Sequence, residues 1–593
     1  MQYPSLYEYD TQRQMTEVFL GYDHNPRIAD GAFFDMQNLS SDHYPVLGPR
    51  KPRGLYKQAG KPSGMIAKDA LCYVDGSDFV INENIIDLGL SDAPKQLVSM
   101  GAYVIILPDK KYINTADLSD RGSIEAQWNS GTNETAVTFE LCQQDGGSYE
   151  SVSIGPKAPE EPQNLQYWID TSATPHSFKQ YSEVKKDWVS VATSYVKIRA
   201  TGIGKQFRQF DAVRISGIQN DALKDLNATC TVWGCGDDYL IVPGLPSKVV
   251  TQKPVAPEES EAGVDYGIIT VARKMPVMDF VIECSNRLWG CRYGLNSEGD
   301  VVNELYCSKL GDFKNWESYM GISTDSWAQK VGTDGPFTGA AAHLGFPLFF
   351  KENFLHKVYV SNTGAHQVQD TACRGVQNGC HRSMAIVNEV LFYKARSGVV
   401  AYDGSLPTEV SAALGNGSYR DAVGGGCGNK YYVSIVNEQE ARELFVFDTA
   451  KGLWHKEDGI VPEAFCCCDG ELYCLEAGTG RILNMLGSGE PYEKQVAWMA
   501  ETGDIGLSSP DAKYVTRLTL RLSMTPGATL NIYAQYDGGE WHCIGQLSGH
   551  KLSSFTVPIR PMRCDHMRLR LTGRGESKLY GLTKSLEEGS DIP

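Results

Sequence analysis

Short apolar runs alternate with turn-forming residues over nearly the whole chain. One run, "ALCYVDGSDFVI", places an Asp-Gly turn between two apolar segments and predicts a hairpin from Leu71 to Ile81. A second run, "AYVIILPDKKYINT", predicts a hairpin from Ala102 to Thr115. Apolar residues at helical spacing are almost absent, so the pattern predicts an all-β protein.

Hairpin patterns recur at a regular spacing in the second half of the chain. Apolar strand pairs begin near Leu288, Phe346, Leu391, Lys430 and Glu471, at steps that settle near about forty residues. A meander of that length has two apolar faces, and stacking such meanders in a ring buries both of them. The spacing therefore predicts a β-propeller, with an open pile of meanders as the alternative.

Two proline-rich segments interrupt the repeat, at 155–164 and 243–260. Because proline is excluded from central strands, and strand-like segments lie before and between the two, residues 129–262 are predicted to form a small inserted β domain.

The C-terminal segment has a different pattern: in "RLTLRLSM", Leu518, Leu520 and Leu522 fall on one face. Strict alternation of this kind predicts a compact antiparallel sandwich.

The predicted fold class is all-β: a β-propeller with an inserted small β domain and a C-terminal β-sandwich. An irregular N-terminal ribbon has apolar residues at Phe33, Phe34, Val46 and Leu47. These favour an anchored segment that closes the propeller over a disordered arm. The predicted order is the ribbon (1–54), the first propeller blades (55–128), the inserted platform domain (129–262), the remaining blades (263–492) and the sandwich (493–593).

Composition narrows the class of protein. Of the 593 residues, 42% are hydrophobic and 21% are charged, as in ordinary globular proteins. No apolar run is long enough for a membrane-spanning helix, and the first residues lack the pattern of a secretory signal. The net charge of −17 opposes binding to nucleic acid through a basic surface. The same negative charge suits a surface along which DNA moves without binding.

The sixteen cysteines are scattered along the chain, and those at 466–468 are consecutive. Neighbouring residues on a strand point to opposite faces, so these three do not easily form one disulfide or one tetrahedral site. Cys373, Cys380 and His381 come nearest to a metal signature, but they lack zinc-finger spacing. The pattern favours reduced, buried cysteines of a protein made in a cytosol.

Established catalytic motifs are missing from the sequence. In "ATGIGKQF", Gln206 stands where a phosphate-binding loop needs Ser or Thr, and the glycine-rich "AVGGGCGNK" leads into a strand. His343, His356 and His366 are isolated. "SKLGDFKNWES" matches the Asp-box of sialidase-like glycosidases only superficially, and no carboxylate pair can be assigned. Accordingly no catalytic, cofactor-binding or metal-binding residue is assigned, and neither an enzymatic activity nor a cofactor is expected.

Three segments carry a resemblance to a known family. "RIADGAFFDMQNLSSDHYPVLGPRKPRG" resembles the start of bacteriophage tail nozzle and tail-tube-closing proteins, including the packaged-DNA stabilisation type. "NRLWGCRYG…ELYCSKLGDFKNWE" looks like a blade that such proteins share, and "YDGGEW…PIRPMRCDHMRLRLTGRG" is similar to the closing sandwich of prophage-encoded relatives from Gram-positive hosts. The matching positions in the first two segments are Asp30, Gly31, Asp35, Asn38, Leu47, Arg50, Gly54, Asn286, Arg287, Leu288, Trp289, Tyr306, Ser308, Gly311, Asp312 and Trp316.

The resemblance implies a structural protein of the virion tail, assembled in the host bacterial cytoplasm. Six copies would form a ring that contacts other tail or portal-proximal proteins, retains the genome until ejection, and lets DNA pass without specific binding. Two alternatives stay open. One is a tail-tip adhesin that binds host surface glycan, with Tyr431, Tyr432, Trp541 and His542 as candidate contacts. The other is a propeller glycosidase.

Overall fold

The computed structural model describes residues 11–588 apart from 257–260, 262, 297, 361–364, 509–510 and 550. In this part of the chain nearly every regular element is a β-strand. The fold is a β-propeller with an inserted β domain and a C-terminal β-sandwich, so the predicted fold class is confirmed. None of the helices in the described ranges has the length and hydropathy that crossing a bilayer requires.

The chain forms two compact units. The first comprises Met1–Leu97, Phe337–Val358 and Val368–Pro593, and the second comprises Val98–Pro336 and Tyr359–Gln367. Short 3-10 helices lie at Ser41–His43, Asp221–Leu226, His381–Ser383 and Ala412–Leu414.

The ribbon, a first blade and the later blades belong mainly to the first unit. The strands of the ribbon and the first blade are β1 (Thr11–Thr16), β2 (Gly21–Tyr22), β3 (Ala32–Gln37), β4 (Leu39–Ser40), β5 (Gly48–Pro49), β6 (Gly54–Gln58), β7 (Pro62–Lys68), β8 (Ala70–Asp75), β9 (Asp78–Ile81) and β10 (Asn84–Asp87). The strands of the later blades are β33 (Gly339–His343), β34 (Phe346–Lys351), β35 (Phe354–Val360), β36 (His366–Ala372), β37 (Ala385–Val387), β38 (Val390–Lys394), β39 (Val399–Tyr402), β40 (Thr408–Glu409), β41 (Arg420–Cys427), β42 (Lys430–Val436), β43 (Arg442–Asp448), β44 (Leu453–Glu457), β45 (Pro462–Cys468), β46 (Glu471–Glu476), β47 (Arg481–Asn484) and β48 (Glu490–Pro491). The strands of the sandwich are β49 (Ala497–Thr502), β50 (Lys513–Met524), β51 (Thr529–Tyr536), β52 (His542–Ser548), β53 (Ser553–Val557), β54 (Arg563–Cys564), β55 (Met567–Arg574) and β56 (Ser577–Glu588).

The second unit holds two blade sheets and the inserted domain. The blade strands are β11 (Gln96–Met100), β12 (Tyr103–Leu107), β13 (Lys111–Asn114), β14 (Arg121–Ser123), β29 (Phe280–Glu283), β30 (Leu288–Leu295), β31 (Val301–Cys307) and β32 (Trp327–Lys330). The strands of the insert are β15 (Ala126–Asn129), β16 (Val137–Cys142), β17 (Val152–Gly155), β18 (Tyr167–Asp170), β19 (Ser177–Ser182), β20 (Asp187–Ser190), β21 (Tyr195–Arg199), β22 (Ala212–Ser216), β23 (Thr229–Thr231), β24 (Gly234–Gly236), β25 (Tyr239–Pro243), β26 (Val250–Lys253), β27 (Val264–Tyr266) and β28 (Thr270–Arg273). The insert thus begins and ends outside the predicted range of 129–262.

Each blade sheet except the last is an antiparallel meander whose strands pair in chain order. The hairpins recognised in the sequence are the second and third strands, such as β42 and β43, whose pairing runs from Lys430 opposite Asp448 to Val436 opposite Arg442. In the last blade the fourth strand is β6, which pairs with β47. The N-terminal segment therefore closes this sheet, but it does so with Gly54–Gln58, which begins only at the last residue of the predicted ribbon.

The strands of the ribbon from β1 to β3 join the sandwich, which corrects the expectation that residues 1–54 close the propeller. Strand β1 pairs with β56 in one sheet, and β2 and β3 extend the other sheet at β49. Between the two sheets, the predicted inward residues Leu518, Leu520 and Leu522 are buried. The sandwich is therefore built from both ends of the chain.

Candidate functional site

The candidate residues for metal or glycan binding do not form sites at the predicted positions. Among the described residues, no group of three or more His, Cys, Asp and Glu side chains is arranged to hold a metal ion. Cys380 is fully buried, and its sulfur accepts a hydrogen bond from the backbone N–H of Ala422. Tyr431 and Tyr432 are also buried, and the Tyr431 hydroxyl donates to the carbonyl of Ser383. These tyrosines stabilise a blade and cannot stack on a sugar.

The blade residues that carry the family resemblance have structural roles in the second unit. The buried Arg287 guanidinium donates to the backbone carbonyls of Ser308, Ser323 and Asp325 at 2.7–2.9 Å. Trp289 donates its indole N–H to the carbonyl of Cys284. These contacts fix the segment that follows β31.

The ribbon residues of the same resemblance attach the ribbon to the sandwich and to a blade. Asn38 has a positive φ of 58°, and its side-chain amide donates to the carbonyl of Ala497. The Asn38 Oδ1 atom accepts from Arg50 Nε at 2.9 Å and from the backbone N–H of Asp458 at 3.0 Å. At Gly54, a Cβ atom would lie 2.0 Å from the carbonyl oxygen of Ser488, so only glycine fits this position.

Two buried arginines of the ribbon meet three carboxylates. Arg50 forms ion pairs with Glu493 at 2.7 Å and with Asp458 at 3.1 Å, and Arg53 binds Glu457 at 2.8 Å. Burial alone would raise the pKa of Glu493, but hydrogen bonds from Arg50 and from the Arg53 backbone hold it below its usual value. This network, Arg50–Arg53–Glu457–Asp458–Glu493, is called the ribbon network below.

A cavity of about 230 Å³ lies in the first unit, where the ribbon meets the two sheets of the sandwich. We call it the sandwich cavity. Its apolar wall includes Phe19 and Phe33, which are buried and stack with ring centroids 5.9 Å apart. The charged residues of its lining are Arg27, Asp30, Asp504, Lys513, Lys584 and Glu587, which gives three of each sign.

One charged pair of the cavity joins the ribbon to β56. Lys584 is 5% exposed, and its Nζ atom lies 2.5 Å from Asp30 Oδ1. Thr16 donates its hydroxyl to the other Asp30 oxygen at 2.6 Å. Burial opposes ionisation of Asp30, but these two hydrogen bonds outweigh it and lower the pKa of the carboxyl. The next residue, Gly31, has φ of +90°, and a Cβ there would lie 2.3 Å from the Val18 carbonyl oxygen.

A second buried lysine lines the same cavity. Lys513 is 3% exposed, and its ammonium group donates to the carbonyls of Gly506 and Asp565, both at 2.6 Å. Because a buried ammonium group must be paired or hydrogen-bonded, these carbonyls hold it in place at the cavity. Gln12 and Gln14 add amide groups from the exposed strand β1.

Asp504 connects the cavity with the outer face of the sandwich sheet that contains β2, β3, β49, β55, β51 and β52. It accepts two hydrogen bonds from Arg568, at 2.6 and 3.1 Å, and hydrogen bonding from this side chain is the main cause that lowers the pKa of Asp504. On the same face, Arg570 binds Glu501 at 2.7 Å and lies 4.0 Å from the ring centre of Trp541. The structure thus places Trp541 beside an arginine, outside the cavity.

The chemistry of the cavity suits binding. Asp30 and Asp504 both have lowered pKa values, so both are ionised near neutral pH. Ionised carboxylates and ammonium groups form strong hydrogen bonds with hydroxyl groups, and the phenylalanine wall can pack against an apolar face.

Sequence reasoning singled out Asp30 but missed both lysines. In β56 the residues Leu582, Lys584 and Leu586 are buried at 5%, 5% and 7% exposure, and so they share the core-facing side of the strand. Since strand side chains alternate, a lysine at a leucine position was a visible sign of a polar interior. The segment "YGLTKSLEE" shows this alternation of leucine, lysine and leucine in the sequence.

No family model and no curated protein matches the chain. Solved structures of similar architecture include an exo-β-1,3-galactanase from Phanerochaete chrysosporium, at 8% identity, 51% of this chain, 94% of that chain and a TM-score of 0.21. A family 43 arabinoxylan arabinofuranohydrolase from Bacillus subtilis matches at 8%, 51%, 94% and 0.14. A sialidase from Trypanosoma rangeli matches at 8%, 90%, 95% and 0.17.

These matches contradict the expectation that the chain is not an enzyme, because each similar structure is an enzyme: a galactanase, an arabinofuranohydrolase and a sialidase. Of the alternatives in the sequence analysis they fit only the propeller glycosidase, and none of these three structures is a phage tail protein. At these TM-scores they carry no argument about a substrate or an active site. The proposal below therefore rests on residues of this chain.

Proposed function

We propose that this chain binds a neutral glycan, with one sugar unit held in the sandwich cavity. The observation that carries the proposal is a cavity of about 230 Å³ that combines an apolar wall with ionised hydrogen-bonding groups. The lining is mainly polar, with six charged side chains beside Phe19 and Phe33, and converging polar groups of this kind orient a ligand in its site. Asp30 accepts hydrogen bonds, Lys584 and Lys513 donate them, and sugar hydroxyl groups do both.

The charge balance of the lining favours a neutral sugar over an acidic one. Three basic and three acidic residues line the cavity. Asp30 and Lys584 neutralise each other at 2.5 Å, and the Lys513 ammonium group is held by carbonyls. An extra carboxylate in the ligand would have to compete with Asp30 for its lysine, and that competition would weaken binding.

The test uses the full chain on an array of neutral and acidic oligosaccharides, followed by calorimetry with the best neutral ligand. The Asp30→Asn variant should weaken binding at least about tenfold, because a hydrogen bond to a charged group contributes about 1.5–3 kcal/mol. The matched control is His542→Ala, which changes an exposed residue of the sandwich and should bind like the parent chain. Circular dichroism verifies that both variants are folded.

Three outcomes would contradict the proposal. The first is that the chain binds no neutral oligosaccharide on the array. The second is that D30N binds as well as the parent chain, and the third is that H542A loses binding while D30N keeps it. The chain is also tested for release of reducing sugar from the bound oligosaccharide. If the parent chain releases reducing sugar and D30N does not, the function of the cavity is catalysis and not binding alone. This assay is included because the sugar-cleaving alternative needs only a different use of the same carboxylates.

We also propose a role as a ring-forming component of a phage tail, which would carry the glycan site on a virion. The ribbon supports this second proposal, because Asn38, Arg50 and Gly54, positions of the resemblance, all make the contacts that attach the ribbon. Six copies would contact other tail or portal-proximal proteins. Mass photometry of the chain with its tail partner should show a ring, and monomers beside an assembled partner would contradict the proposal.

A further inference from the structure

Two cysteine side chains meet between neighbouring blades of the first unit. Cys427 is the last residue of β41, and Cys467 lies in β45. Their Sγ atoms are 2.6 Å apart although 40 positions separate them in the chain. Cys467 is exposed and Cys427 is partly exposed, so a small reagent in solution can reach the pair.

The close approach of the two strands explains the contact. A Cβ atom built on Gly425 would lie 2.3 Å from the Cβ atom of Phe465, so the strands come together at a distance that glycine permits. Side chains alternate along a strand, and Cys427 and Cys467 each lie two residues further on. They therefore project into the same gap between β41 and β45.

We propose that Cys427 and Cys467 form a reversible disulfide that links two neighbouring blades, with a small-molecule disulfide such as oxidised glutathione as the oxidant. The thiolate of Cys467 attacks one sulfur of the oxidant, forms a mixed disulfide and releases one thiolate. The thiolate of Cys427 then attacks the Cys467 sulfur and displaces the second thiolate. The protein gives up two protons and two electrons, and the oxidant becomes two thiols.

The surroundings of the pair set the order of attack. Burial, together with the hydrogen bond shared with Cys467 and the charge of that neighbouring sulfur, raises the pKa of Cys427 to about 12. The exposed Cys467 is therefore the first nucleophile, and Cys427 resolves the mixed disulfide. Cys466 points to the opposite face of β45, and burial raises its pKa to about 12. It does not compete for the oxidant.

The experiment incubates the folded full chain with oxidised glutathione, alkylates the remaining thiols and maps the peptides by mass spectrometry. We expect one cross-linked pair of peptides, containing Cys427 and Cys467, with every other cysteine alkylated. The apparent melting temperature should rise on the order of 5 °C, because the link constrains the unfolded chain. A reducing agent should reverse both changes.

Matched variants separate this pair from general oxidation. Cys467→Ser and Cys427→Ser should each lose the cross-link and the rise in melting temperature. Cys543→Ser removes another exposed cysteine and should keep both. The proposal is overturned if a glutathione adduct on Cys467 accumulates without a cross-link, if Cys467 pairs with a different cysteine, or if C427S keeps the stabilisation. It rests on the blades alone and is independent of glycan binding.

Discussion

The last two blades and the sandwich are both built from antiparallel strands, yet the packing of their interiors differs. In the blades, Tyr431 and Phe445 are completely buried, and Gly425 lets neighbouring strands approach closely. In the sandwich, Lys513 and Lys584 occupy core-facing positions, and a cavity of about 230 Å³ stays open beside them. The binding site is therefore proposed where buried lysines border an open cavity, and not in the closely packed blades.

A similar contrast exists between ion pairs. The ribbon network is buried, with Arg50 4% exposed and Glu493 20% exposed. The pair of Lys61 and Asp92 is 67% and 77% exposed. If burial determines how much an ion pair contributes to the free energy of unfolding, removing one partner should destabilise the protein much more at the ribbon network than at Lys61 and Asp92.

The largest effect is expected for Arg50→Ala. This change leaves Glu457, Asp458 and Glu493 without one of their two arginines, and breaking a buried ion pair costs about 3–5 kcal/mol. The midpoint of urea unfolding should fall clearly below that of the parent chain. An unchanged midpoint would mean that the ribbon does not contribute to the stability of the blade it contacts.

A smaller effect is expected for Gly425→Ala. The new methyl group would lie 2.3 Å from the Phe465 Cβ atom, so the blades must move apart, at a cost of about 1–3 kcal/mol. The control is Gly332→Ala, because a Cβ at Gly332 has no atom within 4 Å. Thermal unfolding of the two variants measures the difference. Equal melting temperatures would show that the blades are not tightly packed at this point.

The sequence predicted the middle strands of the blades better than the strands that flank them. Hairpins at Lys430 and Glu471 were visible because β42 and β46 are rich in apolar and aromatic residues. The preceding strand β41 reads "RDAVGGGC", where close packing against β45 requires small residues, and such a run looks like a turn. The pattern of apolar residues in a sequence therefore reveals strands that are buried through large side chains. It does not reveal strands that are buried because glycine lets a neighbouring strand approach.

The candidate site was less predictable than the fold. Asp30 was singled out in the ribbon, but its partner Lys584 lies more than five hundred positions away. The ribbon pairs with the sandwich through β1 and β56, and backbone pairing between the two ends of a chain leaves no local pattern. For the same reason, the ribbon was assigned to the last blade when most of it belongs to the sandwich.

Acid should reveal the contribution of the Asp30–Lys584 pair. The pKa of Asp30 is lowered in the folded protein, so its stabilising effect is full above the ordinary value of about 4 and is lost as the pH falls through the folded value. At neutral pH, Asp30→Asn should destabilise by at most about 1 kcal/mol, because the carboxylate is 52% exposed. The difference between the melting temperatures of variant and parent should shrink as the pH is lowered from 7 into the range below about 4. A difference that stays constant down to the lowest pH at which the parent is folded would contradict this assignment.

The smallest effect is expected for Lys61→Ala, which completes the contrast with Arg50. Lys61 and Asp92 are in contact, but both are mostly in water, where solvent and salt screen their attraction and ordering two long side chains costs entropy. The change should alter the free energy of unfolding by less than about 0.5 kcal/mol. Urea unfolding in low and high salt measures it. A loss as large as that of Arg50→Ala would show that proximity of charges, rather than their burial, governs stability in this protein.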